Sequence, residues 1–405
     1  MIKEAKTKVI KKEFFTFSGI KRLGIVSLFG GFSSAFISTI WALYMNSFVE
    51  SAAIVGLISG ALAFISFFSY FVFIPIIEKN NKSRLFSYSL FLFGILYILF
   101  AINRNFLIFI LLACIMNLLF TIRLTSFGII VRDKSAKTKL SSNEGLLYTF
   151  ANVAWVAGPL IAGWVNGKFG ISMVFLLSAF FIFAALILFR FSGIKSNAVC
   201  KKVDSNIIKN FTEFFKNKNR VFAYLISSGI SFWWSLIYIF IPVYMVENGL
   251  GNMLVAYFLF AIPIPLILLE YNFGKLAGKI GFKKVFAIGF AIAAMLSFIC
   301  FFIVNIYWIL GILVLASIGL AMLEPTSEAY FFDISKKKDC QRFYGPQKTA
   351  IDFGQFTAKT ISGLLLFVLA FKFLFIFFAL VMFALFLLSL KMKDIVEFKR
   401  VRSKR

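Results

Sequence analysis

Histidine is absent from the 405 residues of this chain. Its absence removes the commonest metal ligand and the side chain that ordinarily carries protons near neutral pH. Cysteine is scarce: Cys114 and Cys300 fall in apolar stretches, and Cys200 and Cys340 in basic ones. The four show neither a metal-ligand spacing nor a disulfide framework, so we expect reduced thiols, no metal and no cofactor. Any proton chemistry must therefore use carboxylates.

Acidic residues are also few, because 17 Asp and Glu stand against 43 Lys and Arg, a formal net charge of +26. Apolar residues make up 61% of the chain, and Phe alone contributes 57 residues. A soluble globular protein would not have this composition, which predicts a polytopic membrane protein. Continuous apolar runs favour helices over barrel strands, which alternate polar and apolar residues. With no basic domain outside these runs, nucleic-acid binding is not expected.

Twelve runs are long enough to cross a bilayer, at about 20 residues each. They cover residues 23–45, 52–77, 85–102, 106–131, 145–165, 171–191, 221–245, 253–273, 285–304, 306–332, 351–371 and 373–390. They group into an N-terminal six-helix bundle, residues 23–191, and a C-terminal one, residues 221–390. Between them lies a polar linker, residues 192–220, in which 207–215 is either a short amphipathic helix or part of a solvated tether.

Lysine and arginine concentrate on one set of connections, and the opposite set holds only Arg104, Lys168 and Lys372. This asymmetry places both termini and the linker in the cytoplasm. The N-terminal segment 1–22 and the basic tail 391–405 are then cytoplasmic, and the location is the plasma membrane, the inner membrane of a cell that has two. We expect a monomer that attracts anionic lipids.

The two halves repeat each other at a constant offset of 200 positions. The offset aligns Asn105 with Asn305 and Asp133 with Asp333 without an insertion. A basic loop follows the eighth apolar run, and its residues include Gly274, Leu276, Ala277, Gly278, Lys279, Gly281 and Lys283. The loop 200 positions earlier is also basic and holds Glu78 and Lys79. A constant offset that also superposes the loops indicates an internal duplication.

The loop resembles the Gly-x-Leu-Ala-Asp-Arg-x-Gly-Arg-Lys motif of the major facilitator superfamily of secondary transporters. Gly278 stands where the motif has an acid, and Lys279 where it has an arginine. The resemblance implies an all-α fold of twelve transmembrane helices in two bundles, working by alternating access. It also implies that Asp133 and Asp333 are the acids that latch onto the basic loops.

The fifth run contains Gly158, Pro159 and Gly163, in a segment similar to the Gly-Pro-x-x-Gly-Gly motif of proton-coupled exporters in that superfamily. Its small residues permit close helix approach, and its proline introduces a bend. Helix packing alone can produce the same pattern, so both interpretations stay open.

Charged residues inside the bilayer cost at least about 2.5 kcal/mol each on insertion scales, which makes them functional candidates. Arg123 in the fourth run and Glu324 in the tenth occupy nearly equivalent depths. In the superfamily fold both helices line the central cavity, so we expect a charge pair that substrate or a proton disrupts. The alternative is a permanent ion pair that locks two helices. Pro325 is expected to bend the tenth helix beside this site.

Three further acids are candidates. Glu328 lies one turn beyond Glu324, where a salt bridge with Lys275 or Lys279 is the simpler interpretation. Asp352 and Lys359 share a helix face in the eleventh run and form a candidate coupling site, unless Asp352 only pairs with Lys348. Glu270 is expected to complement the basic loop.

Aromatic residues concentrate in the first and seventh runs, where Trp41, Trp233, Trp234 and Tyr238 are candidates for the wall of a ligand cavity. Such a wall suits an apolar or cationic ligand. Interface anchoring also attracts Trp and Tyr.

These features predict a secondary transporter of a small molecule, coupled to protons, rather than an enzyme. Efflux of amphipathic compounds is slightly favoured over uptake of an organic anion, because the exporter-like motif and the aromatics outweigh Arg123. The chain contains no Gly-x-x-x-x-Gly-Lys-Ser/Thr loop for a nucleotide. The alternatives of another class are a non-transporting membrane receptor and an enzyme that modifies a lipid-linked substrate.

Overall fold

The computed structural model describes residues 19–134, 140–194, 207–335 and 340–393. Over these ranges the chain forms thirteen helices and no strand. The helices are α1 Gly19–Val49, α2 Ala52–Lys79, α3 Lys82–Ile102, α4 Phe106–Lys134, α5 Leu140–Phe169, α6 Ile171–Phe191, α7 Ile207–Phe215, α8 Lys218–Glu247, α9 Asn252–Ile280, α10 Phe282–Phe302, α11 Ile306–Ile334, α12 Cys340–Leu366 and α13 Lys372–Ser389. Most of the predicted N-terminal segment, much of the linker and most of the basic tail lie outside the described residues.

Ten of the described helices are long and apolar enough to cross a membrane. The chain is therefore a multi-pass membrane protein. The two other long helices, α5 and α12, are more polar, and α12 contains Lys348, Asp352 and Lys359. Polar residues of this kind lower the apolar signal of a helix without shortening it, so the count of twelve spans stays a prediction.

Two of the ten candidate spans are interrupted. In α8 a π-helical turn, Leu236–Phe240, separates the α-helical pieces Lys218–Ser235 and Ile241–Glu247. In α9 the helix is interrupted at Pro263, which has no backbone N–H to donate. Irregular turns of this kind change the direction in which neighbouring side chains point.

The helix bounds follow the internal repeat. Helices α3 and α10, and likewise α4 and α11, begin and end 200 positions apart. The equivalent residues Asn105 and Asn305 cap α4 and α11, because each side-chain oxygen accepts from a backbone N–H two residues on, at 2.9 Å. An N-cap Asn satisfies one of the otherwise unbonded N–H groups of a helix start.

The predicted basic loop is largely helical, which corrects its description as a loop. Helix α9 continues to Ile280 and α10 begins at Phe282, so Gly281 alone connects them. Its φ of +98° is in the region that favours glycine, which is why one residue can turn the chain. Gly274, Gly278 and Lys279 therefore lie in α9, and Lys283 in the first turn of α10. In the first half Glu78 and Lys79 lie in the last turn of α2.

The chain divides into two compact units. The first comprises residues 1–41 and 68–203, and the second comprises residues 42–67 and 204–405. Residues 42–67, which the sequence assigns to the N-terminal bundle, thus belong by contact to the second unit.

Within the first unit α3 packs against α4 and α6, and α1 approaches α5 closely where Gly158 faces Ala35. Within the second unit α10 packs against α11 and α13, and α8 against α12. Helix α7, the helical form of the segment 207–215, docks on this unit through Phe214. The Phe214 side chain is fully buried.

Helices α10 and α11 cross at a pair of glycines. A Cβ added to Gly319 would lie 2.5 Å from the carbonyl oxygen of Gly289, and one added to Gly289 would lie 2.9 Å from that of Gly319. Carbonyl oxygens cannot move away as the end of a side chain can. The crossing therefore requires glycine at both positions.

We expect Gly319→Ala to lower the free energy of unfolding by about 1–3 kcal/mol, the usual cost of overpacking. Gly311→Ala is the matched control on the same helix, because nothing lies within 4 Å of its added Cβ. Thermal unfolding in detergent measures both. Equal midpoints for the two variants would contradict the close crossing.

Candidate functional site

Arg123 of α4 is held in the first unit by polar and aromatic groups. Its Nη2 donates to Ser34 Oγ of α1 at 3.0 Å, and its guanidinium lies 4.5 Å from the ring centre of Phe93. The Tyr97 hydroxyl accepts a further hydrogen bond from it. The Nη1 atom is buried and has no hydrogen-bond partner among the described residues. Because a guanidinium favours carboxylate or phosphate, the spare donor suits an anionic group.

Glu324 of α11 lies in the second unit beside another carboxyl group. The Trp234 Nε1–H of α8 donates to Glu324 Oε1 at 2.6 Å, and Glu270 of α9 lies beside Glu324, near enough to interact with it. The sequence assigned Glu270 to the basic loop, and the structure places it at this site instead. The missed signal was an acid in the middle of a long apolar helix, the same signal that identified Glu324.

A hydrogen bond between two carboxyl groups needs a proton, because an ionised carboxylate can only accept. A hydrogen bond between Glu270 and Glu324 would therefore hold a shared proton. Losing that proton would leave two adjacent negative charges that repel each other. We call Glu270 and Glu324 the carboxyl pair, and they form a candidate proton site that contains no histidine.

The Arg123 and Glu324 sites are related by the internal repeat. Ser34 and Trp234 are 200 positions apart, and each bonds to the charged residue on the fourth helix of its half. The contact between the first and fourth helices thus includes an arginine in the first half and a glutamate in the second. Each charge has its own partners within its unit, and the expected Arg123–Glu324 pair stays a prediction.

The four candidate aromatics have different surroundings. Trp234 contacts Tyr238 with ring centres 5.6 Å apart, beside the carboxyl pair. Trp233 is fully buried. Trp41 packs against Phe100 and Phe109, each at 5.6 Å, within the first unit. Only Trp234 and Tyr238 are thus beside a candidate charged site within the described structure.

Glu328 forms an ion pair that the sequence did not identify. Lys348 Nζ of α12 lies 3.0 Å from Glu328 Oε1, and the Tyr344 hydroxyl donates to the same oxygen at 2.8 Å. Lys275, one of the expected partners, lies instead over the Tyr271 ring at 4.1 Å. Glu328 thus ties α11 to α12.

Asp352 and Lys359 lie near enough to each other on α12 to interact electrostatically, and their role as a coupling site stays a prediction. Asp352 is 9% exposed and is also hydrogen-bonded to Ser66 of α2. Lys359 Nζ donates to Gln355 Oε1 at 2.8 Å. Because Ser66 belongs to the first half of the sequence, this cluster joins α2 to the second repeat. Sequence spacing could identify the two charges, but it could not identify Ser66.

The remaining candidates occupy helix ends and helix crossings. Asp133 lies near the end of α4, where it is exposed, and Asp333 is half-buried near the end of α11. Pro159 and Pro325 lie inside α5 and α11, which continue through them. Gly163 is buried in α5. No described group of three or more His, Cys, Asp or Glu could hold a metal ion.

A family model of the major facilitator superfamily matches residues 23–269 and 263–404, which is nearly the whole chain. The chain belongs to the major facilitator superfamily. It is a membrane transporter of this family rather than an enzyme. An uncharacterized MFS-type transporter of Methanocaldococcus jannaschii is 28% identical over 149 residues. That match covers 36% of this chain and 39% of the relative's length.

Solved structures show the same fold. A POT family transporter in complex with 5-aminolevulinic acid superposes with a TM-score of 0.76 at 14% identity, over 92% of this chain and 95% of the other. A peptide transporter POT in complex with sulfate gives a TM-score of 0.71 at 15% identity, over 94% and 96%. At these identities the likeness shows the fold of this transporter and not its substrate.

We expect Glu324→Gln to retain most of the stability of the carboxyl pair, because the amide can accept from Trp234 and donate to Glu270. Glu324→Leu leaves both partners without that contact and should cost about 1–3 kcal/mol of unfolding free energy. The measurement is the unfolding midpoint of the two variants in detergent. It is made at a pH low enough to protonate carboxyl groups in water. If Gln and Leu destabilise equally, the hydrogen bonds do not hold the site together.

For the α12 cluster we expect Asp352→Asn to destabilise by leaving the Lys359 charge without its acid. The double variant Asp352→Asn/Lys359→Gln should recover part of that loss, with a coupling of about 1–3 kcal/mol. A double-mutant cycle on thermal unfolding measures it. Additive losses would mean that the two charges do not interact.

Proposed function

We propose that this protein is a proton-coupled secondary transporter that moves a small organic molecule by alternating access. The observation that supports the proposal is the placement of Glu270 beside Glu324 on two apolar helices, where a hydrogen bond between the two carboxyl groups requires a proton. The proposal assigns the coupling proton to this carboxyl pair.

The coupling follows from electrostatics. With its proton the pair carries less negative charge and remains hydrogen-bonded, whereas without it two carboxylates repel in a poorly hydrated site. The indole N–H of Trp234 then stabilises the negative charge on Glu324. Because the two protonation states favour different local arrangements, a proton gradient can bias the conformational equilibrium.

The favoured substrate is an amphipathic cation, moved outward in exchange for protons. Trp234 and Tyr238 place aromatic rings beside the carboxyl pair, and aromatic rings together with a carboxylate attract organic cations. A proton and a cation would compete for the same negative charge, which gives exchange. The exporter-like segment with Gly158 and Pro159 agrees with this direction.

The second candidate is uptake of an organic anion. It is favoured by Arg123, whose buried Nη1 has no hydrogen-bond partner among the described residues. Two proteins of similar fold have structures in complex with 5-aminolevulinic acid and with sulfate. Their ligands make a carboxylate or another oxyanion a reasonable substrate group here.

The membrane and the orientation belong to the same proposal. The Lys and Arg asymmetry supports a plasma-membrane protein with both termini in the cytoplasm, and the expected state is a monomer. A non-transporting receptor is the remaining alternative of another class. Net movement of a labelled compound by the purified protein would contradict that alternative.

Proteoliposomes with an imposed pH gradient test the function. We expect wild type to concentrate either a fluorescent amphipathic cation or radiolabelled 5-aminolevulinic acid against its gradient. Glu270→Gln/Glu324→Gln should lose gradient-driven accumulation of either compound. It should retain exchange of labelled for unlabelled 5-aminolevulinic acid, because that exchange needs no net proton movement. Arg123→Gln should abolish binding of the anion and spare that of the cation.

Glu328→Gln is the matched control, since Glu328 is a carboxylate on the same helix that is already paired with Lys348. It should retain accumulation. Accumulation that persists in the Glu270→Gln/Glu324→Gln variant would remove the carboxyl pair from coupling. No movement of either compound by wild type would favour the receptor alternative.

A further inference from the structure

A cavity of about 560 Å³ lies in the first unit, where α3 begins and α6 ends. Its lining includes Arg84, Ser87, Tyr88, Phe189 and Arg190. We call it the α3–α6 pocket. It is distant in sequence from the carboxyl pair and from Arg123, and the proposed transport cycle does not use it.

The pocket is positively charged, and its two arginine side chains are exposed. Arg84 and Arg190 are both exposed, and neither guanidinium has a hydrogen-bond or ion-pair partner in the described part of the chain. Two exposed arginines that line one open pocket form a positively charged site to which an anion is attracted. A phosphate group fits this site, because each guanidinium can give it two parallel hydrogen bonds.

The pocket is specific to the first half. At the positions offset by 200, the second half has Lys284 for Arg84 and Leu390 for Arg190. It has Ala287 for Ser87 and Ile288 for Tyr88, so both hydroxyl groups are lost as well. Because α3 and α10 have the same bounds at an offset of 200, the fold of this helix alone does not require Arg84, Ser87 and Tyr88. They are a feature of this pocket.

The pocket also borders the surface that faces lipid. Helices α3 and α6 are both candidate membrane spans, and the pocket lies at the ends of their apolar segments. Tyr88 is 58% exposed, and beyond it Phe91 on α3 and Ile187 on α6 are exposed large apolar residues. A ligand with a phosphate in the pocket and hydrocarbon along these side chains would satisfy both surfaces.

We propose that the α3–α6 pocket binds the phosphate headgroup of an anionic phospholipid, with the acyl chains along the exposed apolar faces of α3 and α6. The side of the membrane is the one to which the Lys and Arg distribution assigns the cytoplasm. Arg84 and Arg190 bind the phosphate, and Tyr88 lies at the headgroup level, where tyrosine is favoured. A lipid held here would join the two helix ends across the surface of the first unit.

The test is a titration of purified protein in detergent with phosphatidylglycerol, phosphatidylcholine or inorganic phosphate, monitored by the unfolding midpoint. A ligand that binds only the folded state raises this midpoint. We expect phosphatidylglycerol to raise it, and the half-saturating concentration to increase about tenfold or more in Arg84→Gln/Arg190→Gln. Lys283→Gln/Lys284→Gln, which removes the same charge in the second half, is the matched control and should behave as wild type.

Three outcomes would overturn the proposal. Phosphatidylcholine acting as well as phosphatidylglycerol would show no preference for an anionic headgroup, and inorganic phosphate giving the same rise would identify a free-anion site. Equal loss in the two double variants would show attraction to net charge alone. If Arg84→Gln/Arg190→Gln does not fold, Arg84→Lys/Arg190→Lys replaces it. An affinity for phosphatidylglycerol unchanged from wild type would then contradict binding through the paired hydrogen bonds of the guanidinium groups.

Discussion

A charged or polar side chain inside a bilayer must find a partner within the protein, because the hydrocarbon offers none. This constraint accounts for the arrangement of the polar residues in the transporter. Arg123 contacts Ser34, Tyr97 and the face of the Phe93 ring. Glu324 accepts a hydrogen bond from Trp234 and lies beside Glu270. Glu328 has Lys348 as its partner, and Asp352 lies near Lys359.

The duplicated architecture makes these contacts comparable. Ser34 and Trp234 occupy equivalent positions and bond to opposite charges on the fourth helix of each half. The divergence continues in α12, where Asp352 and Lys359 stand opposite Asn152 and Pro159 of the first half. The two halves therefore differ in the charged residues that they carry at equivalent positions.

Small residues permit the polar contacts to form. Gly289 and Gly319 bring α10 and α11 together, and Gly56 and Gly363 do the same for α2 and α12. Close backbone approach shortens the distance that a polar side chain must span to reach its neighbour. The contact of Ser66 with Asp352 follows, since it joins the same two helices.

The sequence alone determined that the protein is a helical membrane transporter built from two related halves, because hydropathy and a constant repeat offset are properties of the chain itself. It also identified Arg123, Glu324, Asp352 and Lys359 as charges within apolar runs, since such charges are visible without a fold. Tertiary structure alone decided their partners. Glu270 reaches Glu324 only because α9 packs against α11. Lys348 and Glu328 form an ion pair between two separate helices, α12 and α11. Contacts between residues many positions apart depend on helix packing, which no local sequence pattern records.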